Sequence, residues 1–293
     1  MLVQLLQQII NGLSVGGIYG LASVGYSLIY SVMGFSNFAH GELTMVGAFA
    51  AFFTMVALKL PFPASLITAM ACSALFAVVM EKLAYRPLRL KRAPSMYFFI
   101  AAMGVSVFLQ NLALVTLGGA FRSFPQVFGV KTVQMGPLAI GLIDLVVFLV
   151  SMAAVGVVQL ILLRTRTGKA IRAAAYDGVT AGLMGINVDR ICFTVFLMAG
   201  SLAGLSGLFR GMKYTVHANM GNIILKAFIC AIFGGLGSVP GALAGSLLLG
   251  VIESLVAGFI SSSYRDVFAF LLLIAILLFR PRGLMGQAAE EKA

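Results

Sequence analysis

The sequence predicts an all-α, polytopic membrane protein with about eight or nine spanning helices, one or more of them broken or re-entrant. Three observations carry this. The chain of 293 residues is 61% hydrophobic with a mean hydropathy of +1.05. Only 10% of its residues are charged, against roughly 25% in a soluble domain. Its apolar runs approach the ~20 residues that a helix needs to cross a bilayer, and its basic residues gather in the short breaks between them.

Taken in order, the candidate spans occupy 5–31, 36–58, 62–84, 95–118, 138–163, 190–212, 239–260 and 265–280, with a shorter run at 222–235. The first ten residues have no basic stretch, so the first span reads as a retained helix and not as a cleaved signal. No loop is long enough to fold by itself, so residues 1–293 form one transmembrane domain. A soluble enzyme, a disordered regulator and a disulfide scaffold are excluded. The net charge of +11 would otherwise suggest nucleic acid. Here the charge orients the chain, and no nucleic-acid partner is expected. One loop holds Lys82, Arg86, Arg89, Lys91 and Arg92. A second holds Arg164, Arg166, Lys169, Arg172 and Arg190, and the tail adds Arg280, Arg282 and Lys292. The positive-inside rule makes these cytoplasmic, and puts the loop 119–137, with Arg122 and Lys131, outside. Counting 222–235 as a crossing places the N-terminus outside; counting it as re-entrant places it inside. Cys72, Cys192 and Cys230 lie within apolar runs without CxxC spacing and read as small core residues.

Several glycines recur every fourth residue: Gly12–Gly16–Gly20, Gly200–Gly204, Gly207–Gly211 and Gly237–Gly241–Gly245. Such faces let two helix backbones approach closely, either within the chain or between subunits.

Polar groups at membrane depth are costly and therefore informative. Asn37, His40 and Glu42 interrupt an apolar stretch, and Ser36 or Asn37 reads as the N-cap of a restarting helix. A helix start inside a membrane offers free N–H groups and a positive dipole end, as in broken helices near solute pathways. The plainer reading is an interfacial turn. Gln110 and Asn111 must find partners inside their span, either across helices or along a pathway. Lys226 and Glu253 are each expensive alone and read as an ion pair, or as a lysine snorkelling outward. Asp144 reads as interfacial and His217 as solvated in an outer loop.

Residues 164–189 hold an Ala-rich basic helix around Arg172, Ala175, Tyr176 and Asp177, then Leu183, Met184, Gly185 and Ile186. Apolar knobs there, Ile171 included, suit a groove on a soluble partner or a headgroup surface. No P-loop is present: Ala170 follows Gly168-Lys169, and no glycine stands five residues earlier. Any ATPase is therefore another chain.

Asn37-Phe38-Ala39-His40-Gly41-Glu42, Arg86-Pro87, Gln110-Asn111, Gly168-Lys169-Ala170, Leu183-Met184-Gly185-Ile186-Asn187 and Gly234-Gly235-Leu236-Gly237-Ser238 occur in one order along nearly the whole chain. Together they resemble the permease subunits of bacterial branched-chain amino acid ABC importers, specifically the smaller of two permeases that pair. The resemblance implies an inner-membrane transport subunit without enzymatic activity or cofactor of its own, ATP and Mg being held on partners. It also implies a second homologous permease, two cytoplasmic ABC ATPase subunits and an external solute-binding protein. It makes Arg172, Ala175, Tyr176, Asp177, Leu183, Gly185 and Ile186 the ATPase contacts, with Tyr176 standing where relatives often carry an acid. It favours Asn37, His40, Glu42, Gln110 and Asn111 as pathway residues. Related permeases import urea, short amides or aromatic acids. An ATPase-independent secondary transporter is the rival class, and it calls for an ionisable residue deep in a span, where Glu253 is the one acidic candidate well inside a run.

Overall fold

The computed structural model describes residues 1–125, 129, 132–135, 138–280 and 283–285. In chain order the elements are α1 (Leu2–Met33), α2 (His40–Val56), α3 (Phe62–Met80), a π-helical turn (Glu81–Tyr85), α4 (Arg86–Leu90) and α5 (Ser95–Leu117). Strands β1 (Thr132–Met135) and β2 (Leu138–Gly141) follow, then α6 (Leu142–Arg164), α7 (Arg166–Tyr176), α8 (Gly178–Leu183) and α9 (Val188–Lys213). A 3-10 turn (Ala218–Asn222) leads into α10 (Ile223–Gly234), and α11 (Val239–Phe259) and α12 (Arg265–Phe279) complete the bundle. Among the described residues, seven helices are long and apolar enough to cross a membrane, and two shorter apolar stretches, His40–Val56 and Ala218–Gly234, join them.

α1, α9 and α11 form the centre. α1 packs against α11, α9, α10 and α6, while α3 and α2 pack on α9. The spaced glycines explain how closely. A Cβ on Gly12 or Gly16 would strike the α11 backbone at Val251 or Leu247, and one on Gly207 would strike the Thr44 carbonyl of α2. Gly200 and Gly204 meet α3, and Gly241 and Gly245 meet α10. These faces are spent on contacts inside the chain. Gly207→Val is expected to destabilise the protein by at least the roughly 3 kcal/mol at the top of the usual overpacking range, read as a fall in thermal midpoint in detergent.

The bundle has two unlike ends. At the basic end, Arg89 reaches Met33 and Asp189, Gly237 lies beside Ser31, and Leu284 N–H donates to the Phe233 carbonyl. At the far end, Gln7 brackets Ala139 with two hydrogen bonds of 2.8 and 3.1 Å. There Lys213 pairs with Asp144 at 2.6 Å, and Arg122 bridges Val216. The 3-10 turn starts beside Val216 and α10 ends beside Met285. This segment therefore crosses, and the N-terminus sits opposite the basic loops. Lys131, Arg282 and Lys292 lie outside the described residues.

Two local outcomes differ from the sequence reading. The run expected from 138 begins as strand: β2 pairs antiparallel with β1, and the extended Gly141 starts α6 only at Leu142. The third span also continues past 84, as α3, the π turn and α4. Pro87 has no N–H for the Leu83 carbonyl and would crowd it. The wider turn just upstream, where Arg86 N–H reaches back to the Glu81 carbonyl, absorbs this without ending the helix.

Candidate functional site

Two half-length helices meet inside the bundle. By helix rise, α2 extends about 26 Å and α10 about 18 Å, both short of a ~30 Å hydrocarbon core. α1 stops at Met33 because Gly34 takes the left-handed conformation (φ 68°), its N–H donating to the Tyr30 carbonyl. The chain then turns back and restarts at His40, where Gly25 of α1 and Ala199 of α9 lie alongside. Ala199 is eleven residues past Val188, or about 17 Å along α9, so α2 begins at mid-depth. Gly41 abuts Gly221 and Ile224 at the start of α10. Paired short helices with N-termini facing at mid-depth mark solute sites in transporters.

The cap differs from the expected one. Neither Ser36 nor Asn37 caps α2; Ala39 occupies the N-cap without a side-chain bond. The first N–H groups are not free either. His40, Gly41 and Glu42 donate to the carbonyls of Asn37, Phe38 and Ala39 at 3.3, 3.2 and 3.1 Å. Asn37 is occupied elsewhere: buried, it accepts the Tyr85 hydroxyl at 2.8 Å.

The remaining predicted residues separate. Glu42 points at Gly221 and accepts Ser106 Oγ of α5 at 3.2 Å, while its Oε2 is buried without a hydrogen-bond partner among the described residues. Gln110 donates across helices to Asn219 at 2.9 Å. Glu42, Ser106, Gln110 and Asn219 thus form one polar strip between α2, α5 and the 3-10 turn. His40 turns away and is fully buried against Gly25. Asn111 bonds the Val107 carbonyl of its own helix.

The segment after α6 forms two short helices with side-chain caps. Thr165 accepts Gly168 N–H at 3.0 Å, Asp177 accepts Val179 and Thr180 N–H, and Asn187 accepts Arg190 N–H at 3.0 Å to start α9. Ile171, Ala174 and Ala181 are buried and Ile186 packs on the core, so Ile171 and Ile186 are anchors and not the exposed knobs expected. Arg172 donates to the Leu162 carbonyl at 2.7 Å. Facing outward are Ala175, Tyr176, Leu183 (83% exposed), Met184 (80%) and Gly185, whose φ is +84°.

Sequence reasoning missed an ion cluster behind this segment. Glu81, 2% exposed, accepts Arg89 at 2.8 Å; Arg89 also holds Asp189 at 2.7 Å, and Arg86 adds a contact at 3.2 Å. Arg86-Pro87 was the local signal, but its partner lies some hundred residues away. Lys226 does pair with Glu253, at 2.9 Å, and also with Asp266 at 3.0 Å, while Tyr19 donates to Glu253 at 2.8 Å.

A family model described as "Branched-chain amino acid transport system / permease component" matches residues 8–277. The chain is 36% identical to the high-affinity branched-chain amino acid transport system permease protein BraD of Pseudomonas aeruginosa, over 98% of this chain and 97% of that one. It is 34% identical to LivH of Escherichia coli K12 over the same shares. Among solved structures, PsaBC from Streptococcus pneumoniae in complex with Fab matches with a TM-score of 0.54 over 93% of this chain and 91% of that one. At 13% identity that likeness shows the fold alone. A match this complete, over a bundle of membrane-spanning length, makes the chain a multi-pass membrane protein that belongs to the family of branched-chain amino acid transport permeases.

Proposed function

We propose that the chain is the inner-membrane permease subunit of an ATP-driven importer for leucine, isoleucine, valine or similar amino acids. In this reading it pairs with a second, homologous permease, and two cytoplasmic ABC ATPases dock on the α7–α8 face. A solute-binding protein delivers cargo at the far end. ATP binding and hydrolysis occur on the partner chains and bring the transport energy.

The observation that carries this is the pair of capped helices at the basic end, with Leu183 and Met184 held out into solvent. A soluble loop gains nothing from exposing these side chains, whereas a groove on a partner does. The bonded groups behind that face run to the site. Asp189 opens α9 and holds Arg86 and Arg89, Arg89 holds Glu81, the π turn ends at Tyr85, and Tyr85 holds Asn37 just before α2. A stroke on α7–α8 thus has a connected route to the α2 start, where Glu42 meets Gly221. A secondary transporter would need an ionisable group free to titrate; Glu253 is bound by Lys226 and Tyr19, which leaves Glu42 as the group that rival would use.

Purification from native membranes in gentle detergent, with mass spectrometry of what accompanies the chain, tests the assembly. A second permease and P-loop ATPases are expected. The chain alone, or with copies of itself, would sink the proposal and make proton- or sodium-coupled flux the next assay. Competition of labelled leucine uptake by urea, short amides and aromatic acids separates the solute classes.

A further inference from the structure

Beside the start of α10, where Asn222 and Ile223 line it, a cavity of about 500 Å³ opens between α1, α9, α10 and α12. Its polar half holds three cations, Arg210, Lys226 and Arg265, together with His217. Lys226 is paired with Glu253 and Asp266. Arg210 reaches only a backbone carbonyl, that of Met220, and no ion pair involves Arg265 among the described residues. Among the described residues, the Arg265 Nε is buried with no hydrogen-bond partner, and so is Nδ1 of His217. A buried guanidinium N–H without an acceptor is expensive unless something outside the chain supplies one. Burial, then the Arg210 charge, hold the His217 imidazole below its usual range, as expected beside uncompensated positive charge. The cavity's other half is apolar, with Ile229 inside and Leu225 and Phe270 nearly half exposed on its outer rim.

The two halves face different surroundings: Arg210 lies in the last turn of α9 and Arg265 in the first turn of α12. Leu225 and Phe270 lie further along α10 and α12, on the surface that faces hydrocarbon. We propose that this cavity binds one anionic phospholipid, its phosphate taken by Arg265 and Arg210 and an acyl chain running along α10 and α12. A free amino acid also offers an anion and an apolar group, but it has no need of a mouth that opens sideways into the bilayer. The cavity borders the 3-10 turn that also carries Asn219 and Gly221, so leucine competition is what distinguishes a lipid from the transported solute here.

The test is native mass spectrometry of the full chain in its purified assembly, exposed to equal dioleoyl phosphatidylglycerol and dioleoyl phosphatidylcholine. One phosphatidylglycerol per permease is expected to be retained, with a preference of about fivefold for each engaged cation. Arg265→Gln is expected to lower the preference by about that factor, and millimolar leucine to leave it unchanged. Should Arg265→Gln fail to fold, Leu225→Trp, which plugs the lipid-facing mouth, is expected to abolish retention. Equal retention of both lipids, a preference unchanged in both variants, or displacement by leucine would overturn the assignment, the last by giving the cavity to the solute.

Discussion

Gly185→Arg is expected to abolish solute uptake while the protein still inserts and folds. Gly185 is exposed and a Cβ there meets nothing within 4 Å, so an arginine has room. Its φ of +84° adds about 1–2 kcal/mol of backbone strain for any other residue, too little to unfold a bundle of this size. Leu183→Asp controls for that strain. At 83% exposure its effect on folding should stay within about 0.5 kcal/mol, yet a carboxylate would replace the apolar knob of the proposed ATPase contact. Both variants should reach the membrane at wild-type levels, lose uptake and lose ATPase co-purification. Normal uptake in both would end the docking assignment for α7–α8.

Arg89→Leu should be the most damaging single change at the basic end, destabilising the protein by about 3–5 kcal/mol because it strands a buried carboxylate. Glu81 is 2% exposed and Arg89 is its ion-pair partner among the described residues. Arg86→Leu, at a side chain 48% exposed, should cost under about 1 kcal/mol. The double change Glu81→Leu with Arg89→Leu should recover much of the loss, since an apolar pair of similar volume often replaces a buried ion pair well. Unfolding midpoints of the four proteins in one detergent measure this. Equal losses for Arg86→Leu and Arg89→Leu would mean that burial does not set the energetics here.

What was legible follows from the range of each signal. Spans are written in local hydropathy, so their order reads directly, whereas whether 222–235 crosses depends on which end its neighbours occupy. The break near Asn37 was legible because polar residues inside a span demand an explanation. Its mechanics were not. The cap went to backbone turns because Asn37 was claimed by Tyr85, 48 positions away. The Glu42–Ser106 and Gln110–Asn219 contacts depend likewise on which helices become neighbours, and local pattern carries no such information. Ile171 read as an exposed knob because α7 is basic, but one face of that helix rests on the bundle. The hairpin was hidden because residues 138–141 are as apolar as the helix they precede.

The π turn can be restated as an indexing device. It is equivalent to one residue inserted into an otherwise regular helix. Because each α-helical residue turns the chain by about 100°, everything from Arg86 onward is rotated by that amount relative to a helix lacking the insertion. The rotation aims Arg89 at Glu81 and Asp189. A homologue that lost one residue between Glu81 and Tyr85 would keep its composition and its hydropathy profile, yet swing that arginine out of register. Alignments that close such a gap for neatness would therefore pair residues facing different sides of the protein.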